Sequence, residues 1–135
     1  MPNSHRHHRH LILNCVVGRN RVSVSSCRDW LNALVPKIKM NVLAPAACVR
    51  CDDPGNEGIT GTVVISTSHA AFHYWSPQSD CPNRLSFCLY SCAPFDPQVV
   101  IEHLDQFWSI KDSRHKLIDR DWDIVEATES AAVAP

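Results

Sequence analysis

The sequence predicts an α+β two-layer sandwich, a mainly antiparallel sheet with two helices on one face. Three observations predict it. Several short runs rich in β-branched and aromatic residues read as strands; two apolar stripes repeat at helical spacing; and the order along the chain is strand, helix, several strands, helix, strand. A length of 135 residues suits one domain, and 44% apolar with 20% charged residues is the balance of a chain that buries a core.

The elements follow in order. His10 to Val17, HLILNCVV, is a first strand, and Gly18 to Arg21 a turn. Ser25 or Ser26 caps a helix running to Val35, with Trp30, Leu31 and Leu34 on one face and Pro36 at its end. Asn41 to Arg50 is a weaker strand interrupted by Pro45, and Cys51 to Gly58, CDDPGNEG, is a loop. Ile59 to Ser66 and Ala70 to Trp75 are strands. After a loop over Ser76 to Asn83, Arg84 to Cys92 alternates, with Leu85, Phe87 and Leu89 on one face and Ser86, Cys88, Tyr90 and Cys92 on the other. Asp96-Pro97 starts a helix whose Val100, Leu104, Phe107 and Trp108 pack on the sheet. His115 to Trp122 is a last strand. Trp30, Trp108 and Trp122 are assigned to the core and His103 to a partly exposed helix position. The expected division is a His/Arg-rich tail over 1–9, one domain over 10–126 and a C-terminal tail over 127–135.

A formal net charge of −1 argues against a nucleic-acid or membrane partner, and no apolar run reaches the length of a membrane span. The polar start MPNSHRHHRH lacks an apolar signal region. With seven cysteines, an odd number, the expectation is a cytoplasmic chain with reduced thiols, most of them core filler. Cys48 and Cys51 form a Cys-x-x-Cys, but no second such pair or His-x3-His is spaced to complete it, so no metal is expected.

The stretch ISTSHAAFHYW, Ile65 to Trp75, places a serine and two histidines where packing would use Val or Thr. Ser68, His73 and Cys92 together offer a hydroxyl, an imidazole and a thiol, the groups of acyl and proton chemistry. Cys88, on the same face as Cys92, is its rival for the thiol role, and His69 is assigned a structural role. Ordered motifs then accumulate: Gly58-Ile59-Thr60-Gly61, Thr67-Ser68-His69, His73-Tyr74-Trp75, Tyr90-Ser91-Cys92-Ala93, Asp96-Pro97 and, near the start, Arg9 to Asn14. In this order and spacing they resemble the prokaryotic S-adenosylmethionine decarboxylase proenzyme family, whose pattern runs Gly-Val-Ser-Gly, Glu-Ser-His, His-Thr-Trp, Phe-Thr-Cys-Gly, Asp-Pro.

The resemblance implies a self-processing enzyme of polyamine biosynthesis. Ser68 would be the precursor of a covalent pyruvoyl cofactor, made by cleavage between Thr67 and Ser68. His73 would be the processing base, Thr60 a hydroxyl assisting the same step, and Cys92 the proton donor to the substrate carbon after carbon dioxide leaves. The strained turn ahead of Ser68 would be cut, and Thr67 and Trp75 would contact substrate. The resemblance also implies a homodimer of processed protomers, with S-adenosylmethionine as substrate.

The sequence departs from the pattern where the family grips adenosine. Thr67 and Asn14 replace glutamates, Ser76-Pro77-Gln78 lacks the usual Pro-Glu, and the loop from Cys51 to Gly58 has no aromatic. Two alternatives follow: the same chemistry on a smaller amino acid, L-ornithine or L-arginine, or a degenerate homologue acting as a regulatory partner.

Overall fold

In the computed structural model, residues 8–77 and 82–127 are described. The elements are β1 (Arg9–Val17), α1 (Val24–Lys37), β2 (Val42–Cys51), β3 (Gly58–Ile65), β4 (Ser68–Trp75), β5 (Arg84–Ser91), α2 (Pro97–Trp108), β6 (Ile110–Asp119) and β7 (Val125–Glu126). The strands form one sheet in the order β2-β3-β4-β5-β1-β6-β7, with every pairing antiparallel. This is the expected α+β sandwich. Pleating divides the side chains by parity. Leu11, Leu13, Ile59, Val63, Phe72, Phe87 and Leu89 are buried on the helix-covered side, while Ile12, Thr60, His73, Cys88 and Tyr90 alternate with them on the open side.

The helices form because their caps and apolar stripes agree. The cap of α1 is Ser23, ahead of the expected Ser25 or Ser26, in a reciprocal box with Ser26. Cys27, Trp30, Leu31, Leu34 and Val35 then recur at helical spacing and are buried. Pro36 lies in the last turn and Lys37 ends the helix. Asp96 caps α2 by accepting from the Gln98 amide, and Ser109, at φ 56°, ends it in a left-handed conformation. Trp30 is the hub between layers, with ring contacts to Phe72, Phe87, Phe107 and Trp108 at 5.2–6.1 Å between centroids.

Further expectations are corrected. The last strand begins at Ile110, directly after α2, and its polar run KDSRHK is held by main-chain pairing to β1 rather than by burial. Trp122 lies beyond that strand, 76% exposed, outside the core. His103 is buried, 7% exposed, because its Nε2–H donates to the Trp30 carbonyl at 2.8 Å and its ring stacks on Trp30. Pro45 does not interrupt β2; the pairing with β3 shifts register around it, which an edge strand tolerates. The fold opens at Arg9, so that residue is strand rather than tail. His8 and Ala127, assigned to the tails, are also tied to the fold, His8 Nδ1 lying 3.0 Å from the Tyr90 hydroxyl and the Ala127 N–H donating to the Leu117 carbonyl at 2.8 Å. The remaining tail positions, 1–7 and 128–135, lie outside the described residues. No helix among the described residues is long and apolar enough to cross a membrane.

Burial holds the imidazole of His103 below its ordinary value of 6.5, and burial with the nearby Arg120 does the same for His10. The unfolded chain takes up protons at these histidines as pH falls past about 6.5, before the folded chain does, so stability is lost below that pH. The thermal midpoint should drop between about pH 7.5 and pH 5, and less steeply in His103→Gln. An unchanged slope in that variant would show that His103 does not contribute.

Candidate active site

β3 and β4 are joined by the two residues Ser66 and Thr67, so Ile65 faces Ser68 and, counting back, Thr60 faces His73. Thr60 and His73 both project from the open face, and Thr60 Oγ1 lies 2.5 Å from His73 Nδ1. His73 Nε2 is 3.2 Å from the Asn56 carbonyl, which can only accept, so Nε2 carries the proton and Nδ1 of the neutral ring accepts from the Thr60 hydroxyl. Asn56 also takes the Trp75 indole N–H on its side-chain oxygen at 3.1 Å, and Trp75 packs edge-on against His73 with centroids 4.4 Å apart. The loop before β3 thus fixes both the tautomer and the ring neighbour of His73.

A second group lies at the other end of β4. Ser68 is the first residue of that strand, half-buried, with Oγ 3.0 Å from His69 Nδ1. Cys92 stands just beyond β5, and its amide N–H donates to the Thr67 carbonyl at 3.2 Å. That carbonyl is the one a Ser68 hydroxyl would attack. The Thr67 hydroxyl lies 2.7 Å from that of Ser91, a fully buried serine whose Oγ also bridges the Ala93 amide and carbonyl at 3.0 Å. Thr67 therefore turns its side chain toward Ser91 and Met40 rather than the open face. Among the described non-glycine residues only Lys39 and Ser109 have positive φ, so Thr67 and Ser68 lie outside the left-handed region. The polarising donor is hydrogen bonding by the Cys92 amide.

The six expected residues therefore fall into two clusters: Thr60, His73 and Trp75 at one end, Thr67, Ser68 and Cys92 at the other. Five residues of extended strand, about 16 Å, separate Ser68 from His73 within one chain. Cys88 lies mid-strand opposite Ala71, away from Ser68, and burial raises its thiol pKa. The open face carries a shallow groove of about 940 Å³ that takes in Thr60, His73 and Trp75 together with Ile12, Val49 and Cys88, while Thr67, Ser68 and Cys92 are not among its lining residues. Ile12, Val49 and Val64 are exposed on the open face.

Reading the sequence missed Asn56, Ser91, Tyr90 and Arg120. Arg120 stacks over the Tyr90 ring at 4.1 Å and donates to His10 Nδ1 at 3.1 Å, and the same Tyr90 ring meets His69 with centroids 6.0 Å apart. Tyr90 was readable as an open-face residue from strand alternation; Arg120, in a polar loop, carried no signal. Among the described residues no three His, Cys, Asp or Glu side chains gather as metal ligands.

The residues at the turn fit the conversion of Ser68 into a pyruvoyl group, since the hydroxyl directly follows a carbonyl that already accepts an N–H. Comparison with known proteins agrees in fold. A sequence profile described as S-adenosylmethionine decarboxylase matches residues 9–121. Among solved structures, the chain is similar to the adenosylmethionine decarboxylase from Aquifex aeolicus VF5, with a TM-score of 0.67 and 16% identity over 91% of this chain and 98% of that one. The search of curated proteins finds no match.

Proposed function

Since the chain belongs to the S-adenosylmethionine decarboxylase family, we propose that it is a self-processing, pyruvoyl-dependent decarboxylase that cuts itself between Thr67 and Ser68. One observation carries the reading: the Cys92 amide polarises the Thr67 carbonyl immediately ahead of the Ser68 hydroxyl. The hydroxyl attacks that carbonyl, turning the peptide bond into an ester while the Cys92 N–H stabilises the developing oxyanion. A base then takes the Ser68 α-proton, and elimination releases residues 1–67 with a carboxyl terminus. Loss of ammonia to water leaves the pyruvoyl at residue 68. This group supplies an electron sink for loss of carbon dioxide from a substrate joined through its amine. Cys92, exposed just beyond β5, returns a proton to the substrate carbon in this reading.

The base is His73 of a second copy. Within one chain it stands about 16 Å from Ser68, too far for proton transfer. Two chains packed open face to open face, antiparallel, would set the Thr60–His73 end of each against the Ser68–Cys92 end of the other. The exposed Ile12, Val49 and Val64 give that face apolar area to bury. The first substrate to assay is S-adenosylmethionine, which the family is named for, with L-ornithine and L-arginine beside it.

Intact mass of the denatured protein tests the reading. The expected result is two fragments, 1–67 and 68–135, the second lacking a free amino terminus. A single uncut chain after long incubation would refute the catalytic proposal and favour a degenerate, partner-binding homologue.

A further inference from the structure

β5 buries Leu85, Phe87 and Leu89 on the helix-covered side, and the row ends in Ser91, which has no exposed surface. A hydroxyl in such a row is costly unless it is fully hydrogen-bonded. Ser91 Oγ accepts from the Ala93 amide at 3.0 Å, lies 3.0 Å from the Ala93 carbonyl and meets the Thr67 hydroxyl at 2.7 Å. At that separation one hydroxyl must donate to the other, since two lone pairs would repel. The remaining proton has its acceptors in the Ala93 carbonyl and in Met40 Sδ, 3.2 Å from Thr67 Oγ1. Whichever way the protons run, the bond between residues 67 and 91 is made.

The bond from the Ala93 amide acts on a different atom. A serine hydroxyl joined to the amide two residues on closes a ring, and the Ser91–Cys92 peptide is part of that ring. The N–H of this peptide is the one that meets the Thr67 carbonyl at 3.2 Å. One buried hydroxyl therefore holds both partners of that bond, the donor through the turn at 91–93 and the acceptor through the Thr67 side chain. The register agrees, since Ser91 is the cross-strand partner of Ser68.

Resting on the decarboxylase reading, we propose that Ser91 is the positioning residue for self-cleavage: it aims the Cys92 amide at the Thr67 carbonyl, where charge develops as Ser68 attacks. Its hydroxyl bonds to none of the reacting atoms and acts through the Cys92 N–H and the Thr67 side chain. A donor fixed in advance needs no rearrangement at the moment of attack, and burial keeps water from competing for it.

Two measurements test it. In the uncut Ser68→Ala protein, hydrogen exchange of the Cys92 amide is read by NMR against the amides of β5. Adding Ser91→Ala should speed exchange at Cys92 about tenfold or more relative to those amides, and Ser91→Thr, which keeps the hydroxyl, should restore it. In chains with Ser68 intact, cleavage is followed by mass from the start of cell-free synthesis, beside urea unfolding. Folded Ser91→Ala should cut about 10- to 100-fold more slowly than wild type, short of the roughly 10²–10³ lost when an oxyanion donor is removed outright, and Ser91→Thr should recover most of the rate. A merely structural serine would lower the urea midpoint and leave the folded chain's rate unchanged. Thr67→Val, which loses only the bond to residue 91 and to Met40, carries the same reading if Ser91→Ala does not fold: slower cutting and faster Cys92 exchange are expected, and no change in either overturns the proposal. Wild-type cutting by folded Ser91→Ala, unchanged exchange at Cys92, or a slowing that Ser91→Thr fails to relieve would each overturn it too. Normal cutting in Ser91→Ala leaves the decarboxylase standing; an uncut wild type whose Cys92 amide is protected only when residue 91 carries a hydroxyl does the reverse.

Discussion

Co-expressing a Ser68→Ala chain with a His73→Ala chain should restore a cleavage that neither undergoes alone. Removing Ser68 removes the attacking hydroxyl outright. Removing His73 removes a general base, a loss of about 10²–10⁴-fold in the step it assists. The two clusters lie about 16 Å apart on one strand, so within one chain they cannot meet. In a mixed pair, the intact Ser68 of the His73→Ala chain faces the intact His73 of the other, and that chain alone should be cut. Distinct mass tags identify which chain yields fragments. No cleavage in the mixed pair, with both single-variant pairs folded, would show that His73 acts within its own chain or not at all. Cleavage of the Ser68→Ala chain would refute the assignment of the nucleophile.

Gly58→Ala should be the most damaging single methyl in the site. At φ 157° Gly58 starts β3 where a side chain is disfavoured, and a β-carbon built there would stand 1.7 Å from the Tyr74 carbonyl oxygen. That atom belongs to the backbone of β4, so it yields only if the strand end moves. Backbone strain of about 1–3 kcal/mol and a similar overpacking cost should appear together in urea unfolding. The same shift would loosen Asn56, which orients His73 and Trp75, so cleavage should slow as well. A variant with near-wild-type stability would show that this close approach is not required by the fold.

The legible parts of the fold were those where burial wrote a period into the sequence. β5 alternates strictly and α2 carries cap, proline and stripe in the expected places. β6 was not legible in its first half, because only Leu117 of its ten residues is buried and its partner β1 supplies the order. His103 and Trp122 show the same limit: a histidine is sealed in by a tryptophan carbonyl, and a tryptophan is left outside by a strand that ends before it. In the site, motif spacing pointed to Thr60, Ser68, His73 and Cys92, but their division into two ends became visible only once the turn was placed at Ser66–Thr67. The contacts made by Arg120, Ser91 and Asn56 join segments far apart in sequence, where no local pattern could report them.

The order of strands decides what a nicked molecule would be. Residues before the Thr67–Ser68 bond own β1, β2 and β3; those after it own β4, β5, β6 and β7. Across the sheet the ownership alternates, since β1 is inserted between β5 and β6. The halves are therefore woven like interlaced fingers, and pulling them apart would tear three seams of main-chain hydrogen bonds, β3 to β4, β5 to β1 and β1 to β6. A break in the covalent thread at that hairpin frees two loose ends and unravels nothing.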